Sequence, residues 1–534
     1  MKKQQHHYVK ELLVPCLFFS AVTGIFSALL IAIFKWAASG VIGISERAYA
    51  FVRANPAYIP LLIGAAALIG LVSSFILSFS HSCRGGGIPT SIAAIRGITR
   101  LKWQKSVFLL PVSALLTFLC GVPLGTEGPC VQMGTALGDG TVKLLGGKKY
   151  AGWRRYMMTG GASAGFSLAT GAPITAIMFS LEELHRRFSP LLFTVAAITV
   201  AISQLTAELL SLLGFGSLKL FHVEPMDELS LKLIIIPLTI GILCGLCSIF
   251  FTKFYTFTDK KMKAWFGKIS VKLKFPIIFA AVAVIGFFFA KILGTGHGLI
   301  DHLLGDHLYE THTLWYFLII VFVTRSVLMM VSNTAGVTGG IFLPTLAFGA
   351  IIGAICAEAF IAMGLIGAEH YVLFLVIGMV SFLGATSRIP VTACVFAIEA
   401  LAGINNILLI IVAVTAAFLC AELSGTDDFT HTVIKHKAHS IHAGKEPTVI
   451  EAPLMVYKGA FVVGKELNDV LWPADCVVLS REKGPVRNGR FGLEEGDVIT
   501  VRYTTYDPVA TAEEFEVLVG DQPEHVDRIM RPDS

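Results

Sequence analysis

The chain has 534 residues, 54% hydrophobic and only 15% charged, with a formal net charge of +5 and a mean hydropathy of +0.72. Soluble domains carry roughly 25% charged residues, so the composition argues against a water-soluble protein and for one that lives in lipid. The basic excess is scattered over short connections, which offers no footing for nucleic acid.

Apolar runs near the roughly 20 residues that cross a bilayer recur at 11–34, 60–79, 106–125, 191–213, 233–252, 275–290, 314–331, 371–386 and 405–423. The first follows MKKQQHHYVK; it is too long for a signal peptide and lacks a small-residue cleavage site, so it is expected to stay as the first helix. Between the runs lie shorter Gly-broken pieces, 129–146, 157–181, 340–367 and 389–402. These predict tilted or discontinuous helices. Basic clusters fall at Lys2/Lys3, Arg96/Arg100/Lys102/Lys105, Lys148/Lys149/Arg154/Arg155, Arg186/Arg187 and from Lys260 to Lys274, whereas the connections 214–229 and 294–313 are poorer in Lys and Arg. The positive-inside tendency then places the basic set and both termini on the cytoplasmic side of a plasma membrane. Cys244-x-x-Cys247 lies on a predicted membrane helix without a second pair, which favours a buried structural role over zinc or redox chemistry.

Two motifs interrupt the apolar pattern: Gly125-Thr126-Glu127-Gly128-Pro129 and Gly339-Gly340-Ile341-Phe342-Leu343-Pro344. Each reads as a flexible break followed by Pro in the first turn of a helix. In lipid, non-helical backbone survives only where protein buries it or where it lines a cavity. Helix N-termini present free N–H groups and a positive dipole end, so two such breaks predict an anion site at mid-depth, at the interface of an internal repeat. Glu127 puts a carboxylate where the anion should bind and is the candidate gate, released by protonation. Glu183 follows Glu182 at the end of an apolar helix, before His185-Arg186-Arg187, and spacing allows Glu182–Arg186 and Glu183–Arg187 pairs. Glu358, Glu399 and Glu422 have the chemistry of proton carriers, but burial against Ser, Thr or backbone partners is the favoured expectation. Arg325 and Lys291 are expected to snorkel from helix ends.

An intramembrane enzyme is the competing class, because Gly161-Ala162-Ser163-Ala164-Gly165 fits the GxSxG pattern of a catalytic serine. Such a serine needs a histidine base, and all fifteen histidines fall in polar termini, loops or helix ends. Close helix packing explains the stretch better. Neither HExxH nor GxxxxGK[ST] occurs, so metalloprotease and nucleotide-driven pump readings lack their motifs. No cofactor is expected.

Composition changes near residue 431. The stretch 436–447 is polar and His/Lys-rich and reads as a linker or the end of the last membrane helix. From 448 to 525 short alternating segments (VIEAPLMVYKG, FVVGKEL, CVVLSREKG, DVITVRY, EEFEVLVGD) predict a small strand-rich α/β domain.

The residues resemble the CLC family of chloride channels and proton/chloride exchangers. The resemblance covers roughly residues 10–435, within an expected transport domain of 1–435, and rests on Gly85-Gly86-Gly87-Ile88-Pro89, Gly125–Pro129 and Gly340–Pro344 in that order. GAPITAIMFSLEELH (171–185) and ATSRIPVTACVFAIE (385–399) are weaker matches. It implies an all-α polytopic homodimer with inverted repeats, carrying chloride or a similar small anion against protons, with one pathway per subunit. By this resemblance Glu127 is the outer gate and proton site, and Glu183 the inner proton site. Gly86, Thr126, Gly128, Ile341, Phe342, Leu343 and Phe429 would line the anion route. Two positions depart from the family: Gly86 replaces a serine and Phe429 aligns with a tyrosine, so both side-chain hydroxyls at the central site are missing. Weak chloride binding, a passive channel, or another anion such as fluoride are the alternatives this opens. The tail resembles the TrkA-C domain of potassium-uptake regulators, implying a small-molecule or ion regulator.

Overall fold

The computed structural model describes residues 12–215, 220–267, 269–305, 315–442, 446–474, 476–482 and 492–522. Lys2 and Lys3, parts of the two weakly charged connections (216–219 and 306–313), 443–445 of the expected linker and 523–525 of the tail lie outside the described residues.

Each long apolar run is a helix: α1 (Val14–Ala54), α2 (Ile59–Ser78), α4 (Trp103–Leu119), α8 (Pro190–Leu210), α9 (Ile235–Phe266), α10 (Val271–Phe288), α12 (Trp315–Ala335), α14 (Tyr371–Ser387) and α16 (Ile407–Leu423). The short Gly-broken pieces are helical too: α3 (Gly87–Ile95), α5 (Glu127–Thr141), α6 (Arg154–Thr170), α7 (Pro173–Phe179), α11 (His297–Gly305), α13 (Phe342–Ala362), α15 (Pro390–Ala400) and α17 (Phe429–Ile441). Among the described residues, eight helices are long and apolar enough to cross a membrane. α1 and α9 reach 41 and 32 residues, well past the apolar runs that announced them. Charge ends hydrophobicity but not helicity, since Lys and Glu are good helix formers. α1 stops only at Asn55, where Pro56 forbids continuation. α17 likewise carries through Ile441, so the first half of the expected linker is helix.

The starts of α7 and α15, Pro173-Ile174-Thr175 and Pro390-Val391-Thr392, are bound to each other's helices. α7 runs into a π-helical turn, Ser180–Leu184, which holds Glu182. Glu182 accepts from the backbone N–H groups of Val391 (3.0 Å) and Thr392 (2.6 Å) and from the Thr392 hydroxyl, at the start of α15. Glu399, on α15, accepts from the N–H groups of Ile174 (2.8 Å) and Thr175 (2.7 Å) and from the Thr175 hydroxyl, at the start of α7. Each carboxylate thus satisfies the orphan donors of the other helix, as two halves related by a pseudo-two-fold would. The expected i,i+4 pairs are corrected accordingly: Arg186 pairs with Asp428 at 2.5 Å, and Arg187 donates to the Val470 carbonyl. Arg325 does not snorkel. It is fully buried inside α12 and donates to the carbonyls of Ile292, Leu293 and Gly294. Glu422 pairs with Arg388 at 3.0 Å.

The tail forms β1 (Thr448–Met455), β2 (Val477–Arg481) and β3 (Val498–Thr505), an antiparallel sheet in the order β1-β3-β2 with Ala452 opposite Val501. Its own core gathers Leu454, Val501, Tyr503 and Phe515. EEFEVLVGD, expected as a strand, is the end of α18 (Pro508–Val519). Asp507 caps this helix through the Ala510 N–H and Pro508 opens it. Phe515, Leu518 and Val519 then face the sheet at i, i+3, i+4, a spacing that the local alternation of Glu with apolar residues disguised. FVVGKEL contributes isolated bridges, Val463–Leu493 and Glu466–Gly492, rather than a strand.

The tail is docked on the membrane helices through their basic clusters. Arg155 pairs with Glu514 and donates to the Leu471 carbonyl, and the Tyr156 hydroxyl donates to the Asp469 carbonyl. The Arg96 carbonyl accepts the Ala474 N–H at 2.8 Å, and Trp153 packs edge-on against Phe461.

A carboxylate cap is worth about 0.5–2 kcal/mol. Glu399→Ala is therefore expected to lower stability by about that amount and to fray the first turn of α7. Thermal unfolding in detergent with an unchanged midpoint would show that the reciprocal caps do not hold the halves together.

Candidate anion pathway

Three loops meet at one point. Gly125, before α5, and Gly340, before α13, form an antiparallel bridge in which each N–H donates to the other's carbonyl at 2.7 Å. A β-carbon on Gly87, at the start of α3, would lie 1.8 Å from the Gly128 carbonyl oxygen, and one on Gly128 would lie 2.6 Å from the Gly340 α-carbon. The starts of α3, α5 and α13 are therefore in backbone contact, which no larger residue at these positions permits. Their first N–H groups lack intrahelical acceptors. They converge inside the protein, where such donors favour negative charge.

Glu127 is the first residue of α5 and is fully buried. Its Oε1 accepts from the Thr126 hydroxyl at 3.0 Å. Its Oε2 folds back over Gly125, 2.4 Å from where a β-carbon there would sit, and has no hydrogen-bond partner. The carboxylate lies against the joint between the two breaks. Beside it opens a cavity of about 590 Å³ lined by Lys35, Thr126, His297 and Leu343 among others. Lys35 donates to the Leu168 and Ala169 carbonyls at the end of α6. It brings a cation toward Glu127 that no sequence neighbour supplies.

Ile341 caps α13, and Phe342 and Leu343 form its first turn; all three are buried. Phe342 packs edge-on against Phe166 and Phe396, and Phe166 stacks on Phe179 at 4.5 Å. Glu183 lies four residues beyond Phe179, also buried, with Oε1 accepting from the Thr430 hydroxyl at 2.8 Å. Thr430 follows Phe429 at the start of α17. Phe429 is buried, with its ring 5.2 Å from that of Phe251 and 4.9 Å from that of Tyr255. Gly86 stands just before α3 with φ −67° and ψ 134°, ordinary extended backbone. It has room for a side chain, the nearest atoms to an added β-carbon being Asn333 Nδ2 and Pro89 Cδ at 3.4 Å. Thr126, Glu127, Gly128 and Gly86 thus share one locus with the start of α13, while Phe429 and Glu183 are joined through Thr430. Thr430, Lys35, Tyr255 and Asn333 went unmarked in the sequence, since only their contacts set them apart.

Ser163 is occupied otherwise. It lies inside α6, buried, and its hydroxyl donates to the Thr159 carbonyl. A β-carbon on the neighbouring Gly161 would sit 2.0 Å from the Gly134 carbonyl oxygen, so this stretch is the packing face between α5 and α6. Cys244 is buried with its thiol toward the Gly378 carbonyl.

Paired broken helices with converging N-termini and a buried carboxylate at their junction define an ion-transport membrane protein. The family model for voltage gated chloride channels matches residues 65–422. An H(+)/Cl(-) exchange transporter, ClcA, of Salmonella schwarzengrund is 25% identical over 429 residues, covering 78% of this chain and 88% of that protein. The ClcA of Yersinia pestis bv. Antiqua (strain Angola) is 25% identical over 407 residues, covering 74% and 83%. In fold the chain is similar to a slow cyanobacterial Cl-/H+ antiporter (TM-score 0.70, 22% identity, 79% of this chain and 98% of that one). It is also similar to a CLC-type fluoride/proton antiporter (TM-score 0.64, 19% identity, 79% and 98%). The chain belongs to the voltage gated chloride channel family, whose members transport ions, and it is not an enzyme.

The contrast between adjacent glycines is testable. Gly87→Ala is expected to abolish stable, monodisperse protein, because the added carbon meets backbone that cannot move. Gly86→Ser is expected to fold with a melting temperature close to wild type. Comparable elution profiles and melting temperatures for the two variants would contradict the three-loop contact.

Proposed function

We propose that the protein exchanges chloride for protons across a plasma membrane, as a homodimer with both termini cytoplasmic. The observation that carries the reading is Glu127. Its carboxylate occupies, as a tethered anion, the place toward which the helix starts converge. A free anion and the ionised carboxylate compete for those donors. Protonation removes the charge that holds the side chain there, so anion and proton exchange places. Glu183, buried beside the start of α17, supplies a second proton station, four residues beyond Phe179 in the Phe166/Phe179/Phe342 ring contacts. The names of the ClcA relatives support the same substrates. Orientation draws support from the tail, which sits on the basic clusters expected at the cytoplasmic face. The tail itself is a docked regulatory module for a small molecule or ion.

The missing hydroxyls at Gly86 and Phe429 favour one rival, a passive channel in which anion movement is uncoupled from protons. Reversal potentials in reconstituted vesicles under crossed chloride and proton gradients separate the two. An exchanger drives proton uptake with a chloride gradient. A wild type that carries chloride with no proton movement would make this a channel, and preference for fluoride in the same vesicles would change the substrate.

Glu127→Gln keeps the shape of the protonated side chain. It is expected to give chloride flux that no longer varies with pH, with proton movement abolished. Flux retaining the wild-type pH response would place the gate elsewhere. Glu183→Gln is expected to preserve chloride flux and stop proton pumping, whereas unchanged proton coupling would reduce Glu183 to a helix-end carboxylate.

A further inference from the structure

Gly86 and Phe429 offer the anion no hydroxyl, yet a buried side chain beside Gly86 carries an unused donor. Asn333, near the end of α12, is only 5% exposed. Its Oδ1 accepts from the Tyr255 hydroxyl at 3.3 Å. Its Nδ2 has no hydrogen-bond partner and lies 3.4 Å from where a β-carbon on Gly86 would stand. Burying an amide nitrogen with nothing to donate to is costly. The position is not loose, because the Asn333 carbonyl accepts the Gly336 N–H at 3.0 Å and the Gly336 carbonyl accepts the Gly85 N–H at 3.0 Å. The end of α12 is thereby strapped to the loop that carries Gly86. Tyr255 stands edge-on against Phe429, ring to ring at 4.9 Å, so the residue that holds Asn333 also packs on Phe429.

We propose that Asn333 is the side-chain hydrogen-bond donor to a small monovalent anion beside Gly86, with Tyr255 as the positioning residue that turns Nδ2 toward it. An amide NH₂ only donates, so its ligand must be an acceptor, and chloride is purely one. The electrostatics agree. Lys437 brings an ammonium to the same turn, donating to the Arg84 carbonyl at 2.7 Å and to the Thr90 hydroxyl at 2.5 Å, and that hydroxyl bonds the Gly86 carbonyl at 2.7 Å. The α3 N-terminus adds its dipole from the other side. The inference rests on the anion pathway described above and not on proton coupling.

The test is calorimetric chloride titration of the purified full-length protein, with gluconate as the replacement anion. A hydrogen bond to a charged group corresponds to about tenfold or more in affinity. Asn333→Ala is therefore expected to weaken chloride binding about tenfold, and Asn333→Asp, of nearly the same shape, at least as much. Tyr255→Phe is expected to cost less, because the amide remains but is free to turn. Adding Gly86→Ser to Asn333→Ala is expected to recover part of the loss, as restored overall packing would not. If Asn333→Ala does not fold, the Asp and Tyr255→Phe variants decide. Affinity within about twofold of wild type in the folded variants overturns the proposal and leaves Nδ2 as the seat of an ordered water. Wild type that binds chloride but moves no protons refutes the exchanger and leaves Asn333 standing. Wild type that drives protons with chloride yet gives no binding isotherm refutes Asn333 and leaves the exchanger.

Discussion

The structure depends on one short contact, the two reciprocal hydrogen bonds between Gly125 and Gly340. Backbone outside helices is expensive within a bilayer because lipid offers no hydrogen bonds. These two glycines solve the problem for each other. Their pairing allows both chains to break in mid-membrane, and the breaks then aim the starts of α5 and α13 at a common point. Gly87 and Gly128 complete the joint by letting α3 approach without a side chain between the backbones. A site of backbone N–H groups is thus available with little help from side chains.

The same logic of mutual satisfaction recurs at the reciprocal caps. Glu182 and Glu399 are acidic residues in apolar surroundings, which makes each look like a proton carrier. Each is instead committed to two backbone donors and a threonine hydroxyl of the opposite helix. Glu183 differs from its neighbour in holding a single threonine partner. Glu127 differs more, with one oxygen left without any partner. Carboxylates tied to several donors join the two helices, whereas Glu127 keeps an acceptor spare.

The tail extends this economy to the membrane surface. Arg155 and Arg187, members of the basic clusters, bind carbonyls of the 469–471 loop. The tail therefore touches the chain close to Glu183, since Arg187 follows that π-helical turn by a few residues. The docking contact and Glu183 share one stretch of chain.

The membrane class, the helical runs, the motif breaks and Glu127 were legible in the sequence, because hydrophobic periodicity, Gly/Pro punctuation and an isolated carboxylate are local signals. Helix length was not, since charged residues end an apolar run without ending α1 or α9. Nor was α18, where Glu alternating with apolar residues imitates a strand while the sheet buries Phe515, Leu518 and Val519 on one helical face. Tertiary structure alone decided which oxygens are occupied. Glu182 lost its arginine to Asp428 and found α15, and Arg325 turned inward to three carbonyls. Asn333 was brought to Gly86 only by the close return of α12. Hydrogen-bond partners far apart in sequence leave no periodic trace in it. Where burial makes every donor and acceptor count, three-dimensional proximity assigns the roles.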